Sequence, residues 1–344
     1  MIPRATVVSA AHDCRPLVEV ENLSTYYPIR QNLGASILRK PRRFVKAVDG
    51  VTFALVRGEM TALVGESGCG KTTTVQTILR MIDATAGSVR LEGEDITRLT
   101  GRRIRAYRRR MQMIYQDPYE SLDPRFRVRS IIEEPMLIHH VGTSRSDRRT
   151  RTLEALSQAG LTPPEFYMDR YPHELSGGQR QRVAIAASLV LDPVLLIADE
   201  PVSMLDVSVR AGVLSLLDDL RRDGAMAVLM ITHDLSTAAH FADRIAVMYL
   251  GRIVEQGLAD DVVCDPLHPY TKALLSVVPK RDPRRQTKPQ ILRGETPNPA
   301  NVPCGCRFHP RCPVAFAECS TVDPALRSPS SVSDAHHSAA CLLV

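Results

Sequence analysis

Apolar residues in this chain come in short blocks, and the blocks alternate between two periods. "LVEVENLS" (17–24) and "VTFALVRGEMTALVG" (51–65) mix apolar and β-branched residues between polar breaks, which predicts strands. "MQMIYQ" (111–116), "VLLIADE" (194–200) and "AVLMITH" (227–233) also read as strands. "TTTVQTILRMI" (72–82), "GGQRQRVAIAASLVL" (177–191), "SVRAGVLSLLDDLRRDG" (208–224) and "LSTAAHFA" (235–242) carry helical periodicity, and "RIAVMYLGRIVEQG" (244–257) reads as a hairpin. Strands alternating with helices predict a parallel α/β core. A polar helical stretch, about 120–178 with Pro-rich joints such as "LTPPEF", reads as an insertion into that core. "PIRQNLGASILRKPRRFVK" (28–46) is basic and reads as a surface loop. After about residue 257 the composition shifts to Pro, Cys, His and Arg, which marks a second, less regular region.

None of the blocks approaches the roughly 18 apolar residues of a membrane span. The longest, "VAIAASLVL" (183–191), stops at Asp192, and "MIPRATVVSAAHDC" lacks the charged start and cleavage context of a signal peptide. The chain is therefore expected in the cytosol, where thiols stay reduced and clustered cysteines hold metal or do chemistry more often than they pair. With 344 residues, 44% of them hydrophobic, there is material for a full core. A net charge of +6 is too modest to identify a nucleic-acid partner.

"GESGCGKTT" (65–73) follows a predicted strand and opens a predicted helix. That context turns G-x-x-x-x-G-K-[ST] into a phosphate-binding loop, formed here by Gly65, Glu66, Ser67, Gly68, Cys69, Gly70, Lys71, Thr72 and Thr73. Glycines let backbone N–H groups point at phosphate oxygens; Lys71 is expected on the β- and γ-phosphates of ATP, and the Thr72 hydroxyl on Mg²⁺. "VLLIADE" runs an apolar strand into Asp199 and Glu200. The natural partner of Asp199 is the same Mg²⁺, which leaves Glu200 to orient or deprotonate the attacking water.

"LSGGQRQR" (175–182) resembles the signature of ABC-type ATPases, with Ser176, Gly177, Gly178 and Gln179 in place. Gln116 in "MIYQDP" matches that family's Q-loop, Asp206 in "SMLD" its D-loop and His233 in "ITHD" its switch histidine; Met204 departs from the more usual Ala. The resemblance covers about residues 17–257 and implies an ABC-type P-loop ATPase fold with an antiparallel β-subdomain and an inserted helical subdomain. It implies Gln116, with Thr72 and Asp199, at the Mg²⁺, and Gln116, Glu200 and His233 at the reacting phosphate. It implies two ATPase domains paired head to tail, so that Ser176, Gly177, Gly178, Gln179 and Asp206 face the ATP of another chain. An aromatic residue before the phosphate loop stacks on adenine in this family, and Tyr27 and Phe44 are the candidates.

"DPLHPYTKALLSVVP" (265–279) and "CRFHPRCPVA" (306–315) closely resemble the ATPases of the oligopeptide/dipeptide permease family, as do "QDPYESLDPR" and "VKAVDGVTF". This implies an ATP-hydrolysing subunit of a peptide importer, with nickel or sugar as other cargoes of the same design. Expected partners are two transmembrane permease subunits, met around Tyr119 to Arg125, a second ATPase chain (a heterodimer favoured over a homodimer) and, indirectly, an extracytoplasmic substrate-binding protein. The expected place is the cytoplasmic face of the membrane. The different-class reading is a nucleic-acid ATPase of repair or translation. Against it, the stretch between Lys71 and Ser176 has neither heptads nor Cys pairs. The arginine clusters "GRRIRAYRRR" and "RSDRRTR" read as solvated faces without aromatic interleaving.

Five of the eight cysteines lie beyond residue 300. Cys306, Cys312 and Cys319 are separated by five and six residues, and Cys341 follows later. Four thiolates in a loop-rich segment suit a [4Fe–4S] cluster or a tetrahedral Zn²⁺. The absence of tight C-x2–4-C pairs leans towards iron–sulfur, and the family resemblance points the same way. Free cysteines in a weakly ordered tail are the other reading, and His309, His336 and His337 read as bystanders. The expected organisation is an ATPase domain at 17–257 and a C-terminal extension with this four-cysteine site at 258–344.

Overall fold

The computed structural model describes residues 15–29, 43–222, 226–278, 292, 294–329 and 337–344. Most of the basic loop at 28–46 lies outside these residues, as do Cys14, Gly224 and His336. Eleven strands occur among them: β1 Val18–Pro28, β2 Phe44–Leu55, β3 Met60–Val64, β4 Ala86–Leu91, β5 Glu94–Asp95, β6 Met111–Ile114, β7 Leu195–Asp199, β8 Ala227–Thr232, β9 Arg244–Tyr249, β10 Arg252–Leu258 and β11 Ser338–Ala339.

They form two sheets. A four-stranded antiparallel sheet has the order β2-β1-β4-β5, and a seven-stranded sheet has the order β11-β10-β9-β3-β8-β7-β6. In the larger sheet β9, β3, β8, β7 and β6 are parallel, while β10 and β11 add antiparallel strands at one edge. Every residue of β3, β7 and β8 is buried, as expected for apolar strands covered on both faces. Alternate side chains go to opposite faces. Leu63, Leu195, Ile197 and Leu229 pack with Val18, Val20 and Val48 of the antiparallel sheet. Met60, Ala62, Leu196, Ala198 and Val228 face the other way, into a core shared with the helices.

The register places the site. Val64 pairs with Thr232, and Asp199 with Ile231, so Gly65, Glu200 and His233 leave the parallel sheet at one edge. The expected helical insertion contains helices Pro118–Ser121, Val128–Ile138, Arg145–Gln158 and Glu165–Met168, which lead into helix Gly177–Leu189. "GRRIRAYRRR" is itself a helix, Gly101–Arg110, with Ile104 alone buried.

The chain beyond 257 is more regular than its composition suggests. Among the described residues it forms helices Ala259–Cys264 and Pro269–Ser276, two 3₁₀ turns, and β11 on the edge of the main sheet. The HPYT stretch explains itself locally. The His268 side chain accepts from the Tyr270 backbone N–H and caps the helix, and Pro269 occupies the first turn, where it loses no helical bond. Tyr270 and Phe308 are fully buried and form an aromatic cluster with Tyr249 at the end of β9.

Candidate functional site

The loop 65–70 connects β3 to helix Lys71–Ile78 and is wedged between β2 and β9. A Cβ on Gly65 would lie 2.2 Å from the Met248 carbonyl oxygen, and one on Gly70 2.1 Å from that of Ala47; Gly70 also takes φ 109°. Only glycine permits this approach. Lys71 Nζ donates to the Gly65 and Glu66 carbonyls at 2.7 and 3.0 Å. A cavity of about 780 Å³ opens over the loop, lined by Glu66, Ser67, Gly68, Gly70, Lys71, Thr72 and Thr73 together with Gln116, Asp199, Glu200 and His233. Cys69 is absent from that lining: its side chain is buried in the core behind the loop, where burial pushes the thiol up from its ordinary value.

The ends of β6, β7 and β8 converge on the cavity beside the loop that follows β3. The Thr72 hydroxyl donates to Asp199 at 3.2 Å. Burial pushes the Asp199 carboxyl up, and neighbouring Glu200 acts in the same direction, against a partial offset from Thr72 and Lys71. A buried acid of this kind suits a cation, so Thr72 and Asp199 fit the donor set of a hard divalent ion. Glu200 follows with φ 44°, uncommon for a residue with a Cβ, and its N–H is held by the Ile231 carbonyl at 3.0 Å. Its carboxylate accepts from Gln116 Nε2 at 3.2 Å and contacts His233 Nδ1 at 3.1 Å.

Of the two aromatic candidates, Tyr27 lines the cavity beside Val45 and Ala47, whereas Phe44 does not; it pairs with Pro28 at the strand end and is 42% exposed. Ser176, Gly177, Gly178, Gln179 and Asp206 are likewise absent from the lining in their own chain. Ser176 and Gln179 form a reciprocal capping box, at 3.3 and 3.0 Å, that starts helix Gly177–Leu189. A Cβ on Gly178 would lie 2.4 Å from Val209, so glycine lets this helix approach helix Val207–Arg222. The Asp206 carbonyl accepts the first N–H groups of that second helix.

Several residues that border the site were not singled out from the sequence for it. Leu274 and Pro299 line the cavity. The Tyr270 hydroxyl accepts from the Glu66 backbone N–H at 3.0 Å, and Arg311 and Thr296 bind the Glu66 carboxylate. "HPYT" marked Tyr270 for the extension; Thr296, Pro299 and Arg311 carry no local signal, because their partners lie far away along the chain.

Cys306, Cys312, Cys319 and Cys341 line one small cavity of about 10 Å³, together with His309 and apolar Phe308, Val314, Leu342 and Leu343. Exposed Cys304 is outside it. The expected [4Fe–4S] cluster or Zn²⁺ is not supported by this geometry: among the described residues no group of three or more His, Cys, Asp or Glu side chains is arranged to hold a metal ion. Burial pushes the Cys306 and Cys312 thiols up, which favours neutral thiols over the thiolates that a metal requires. His309 Nδ1 meets the Cys306 carbonyl at 2.8 Å, and His337 Nε2 meets Glu255 at 2.8 Å.

Comparison with known proteins agrees with this geometry. Residues 48–203 match the family described as ABC transporter, and residues 254–319 match the oligopeptide/dipeptide transporter C-terminal region. The oligopeptide transport ATP-binding protein OppF of Salmonella typhimurium is 44% identical over 330 residues, which cover 95% of this chain and 96% of that protein. The oligopeptide transport ATP-binding protein AppF of Bacillus subtilis is 45% identical over 311 residues, 90% of this chain and 92% of that one. Among solved structures, the dimeric, post-hydrolysis ATP-binding cassette MJ0796 bound to ADP and Pi aligns with TM-score 0.60 and 28% identity over 70% of this chain and 98% of its own. CbiO1 of Clostridium perfringens, part of the ABC transporter complex cbiONQ, aligns with TM-score 0.61 and 26% identity over 73% and 91%.

Proposed function

The chain belongs to the ABC transporter family, and we propose that it is the ATP-hydrolysing subunit that powers import of peptides through a membrane transporter. The observation that carries this is the convergence of Gln116, Glu200 and His233 beside Thr72 and Asp199, over a glycine loop closed around Lys71. Lys71 leaves its two loop carbonyls for the β- and γ-phosphates of ATP. Thr72 and Asp199, with Gln116, would hold Mg²⁺, which supplies charge neutralisation at the phosphates. Glu200 accepts the proton of the attacking water, and His233 orients that carboxylate. Tyr27 offers its ring to adenine.

The placement of the signature supports a head-to-tail pair of ATPase chains. Ser176, Gly177 and Gly178 begin a helix whose N-terminus suits a phosphate but is absent from this chain's own cavity lining, so they serve the cavity of a second chain. We favour a heterodimer. Two permease subunits dock at Tyr119 to Arg125, next to Gln116, where Tyr115, Tyr119 and Phe126 are 46, 55 and 51% exposed. Among the described residues no helix is long and apolar enough to cross a membrane. The importer reading places the subunit peripherally on the cytoplasmic side, served indirectly by an extracytoplasmic binding protein. Peptide as the cargo is supported by the likeness to the oligopeptide transport ATP-binding proteins OppF and AppF.

Glu200→Gln tests the reading: it should bind MgATP and fail to turn it over, and near-normal hydrolysis would overturn the role of Glu200. Co-purification with two membrane proteins tests the transporter assignment, whereas salt-sensitive binding of DNA or RNA with stimulated hydrolysis would favour the nucleic-acid reading. A metal in the tail rests on a separate observation, the four cysteines sharing one cavity. Iron, sulfide and zinc analysis of protein purified without oxygen decides it: about four irons per chain establish the cluster, and neither metal means free thiols.

A further inference from the structure

Glu66 is an awkward residue for a phosphate loop. Glu66 lines the same cavity as Lys71 and Thr72, where the reading above places a polyanion, and its carboxylate is close enough to feel the charge of Lys71. A free carboxylate there repels phosphate through a partly desolvated space, in which charge interactions are several-fold stronger than in water.

The countercharge comes from 245 residues downstream. Arg311 grips the Glu66 carboxylate with both terminal nitrogens, Nη1 to Oε2 at 2.8 Å and Nη2 to Oε1 at 3.2 Å. Two parallel bonds of this kind fix orientation as well as charge. The Arg311 side chain is 9% exposed. The Thr296 hydroxyl donates to Oε2 at 2.5 Å and accepts from Arg311 at 3.3 Å. Burial alone would raise the Glu66 carboxyl, yet the bonds from Arg311 and Thr296 hold it below the ordinary carboxylate value. Tyr270 takes the Glu66 N–H, so side chain and backbone of this loop residue are both held by the extension. A second contact is independent: the Pro299 carbonyl accepts from the Lys46 N–H at 3.3 Å, and Pro299 and Leu274 line the cavity with Tyr27 and Val45.

We propose that the C-terminal extension is a working part of the nucleotide site, with Arg311 the residue that neutralises and positions Glu66 so that the loop accepts MgATP. This rests on the cavity being the ATP site. Arg311 acts through Glu66 and is a positioning residue. The extension thereby takes part in ATP binding in every turnover, in addition to its packing on the sheet.

The test uses the full chain, with calorimetric titration of MgATP on a Glu200→Gln background and steady-state hydrolysis on the active chain. Arg311→Met should weaken MgATP binding about tenfold and raise KM in proportion, the size expected for one partly desolvated charge, with kcat within about twofold. Arg311→Lys should keep most of the affinity. Adding Glu66→Gln to Arg311→Met should restore most of it, because the repelling carboxylate is gone. The proposal falls if Arg311→Met binds MgATP like the parent, or if its loss is the same with and without Glu66→Gln, which would mark a purely structural role. Should Arg311→Met not fold, Arg311→Gln is read the same way: about tenfold weaker MgATP binding that the added Glu66→Gln restores supports the proposal, and parent-like binding overturns it. A parent chain that binds no MgATP would overturn the ATP-site reading, an outcome distinct from all of these.

Discussion

Two regions of this molecule gather reactive side chains, the strand ends around Lys71 and the tail around Cys306, and different forces assemble them. At the strand ends, buried parallel strands stop at one edge, so each polar residue that follows an apolar run is delivered to the same cavity. The result is a space of about 780 Å³ with an acid that burial keeps eager for a counterion. In the tail, the cysteines ride on an apolar cluster built by Phe308, Tyr270 and Tyr249, and the space they share is about 10 Å³. Convergence of side chains is common to both. Room for a ligand and unbalanced charge separate the two regions.

The comparison breaks most sharply at Glu200. Glu200→Gln should lower hydrolysis by a factor of about 10² to 10⁴, the usual contribution of a general base, while leaving MgATP affinity near that of the parent; phosphate release and calorimetry read the two separately. In the tail the matching change acts on stability. Phe308, 1% exposed, should cost about 3–5 kcal/mol when replaced by Ala, seen as a lower denaturation midpoint. Because Phe308 packs on Tyr270, which holds Glu66, that variant should also weaken MgATP binding.

A pH effect distinguishes the packed extension from the solvated site. Burial holds His268 down at about 4, with Lys272 acting the same way against a backbone contact at Ala340. The unfolded chain binds that proton at the ordinary value near 6.5, so the unfolded state gains protons first as pH falls. The neutral-His contribution is fully present above pH ~6.5 and is lost towards pH ~4, a span of about 3 kcal/mol. His268→Asn keeps a helix cap and removes the proton, so its unfolding free energy should lose that slope; an unchanged slope would show that another group titrates. The smallest effect is expected at Cys304, exposed and outside the shared cavity: Cys304→Ser should change stability by less than about 0.5 kcal/mol.

The nucleotide motifs were legible because each is local. A glycine loop after an apolar strand, and an apolar run ending in Asp199 and Glu200, carry their geometry within a few residues. The ordered parts of the less regular tail were harder to read for a related reason. Composition dominated by Pro, Cys and His concealed a capped helix, Pro269–Ser276, and a strand that joins the main sheet, whose stability comes from residues elsewhere. The basic helix Gly101–Arg110 escaped the pattern because a single apolar side chain, Ile104, anchors it.

By itself the sequence determined the local order of the chemistry: the glycine loop after its strand, which acid follows which strand, and the order of the signature motifs, since these depend on neighbours along the chain. Tertiary structure alone chose Tyr27 over Phe44, through the register in which Tyr27 pairs with Val45 and Phe44 with Pro28 at the strand end. It alone brought Arg311 to Glu66 and Tyr270 to the phosphate loop, because a countercharge for a partly buried carboxylate is selected by proximity in space and leaves no spacing rule in the chain.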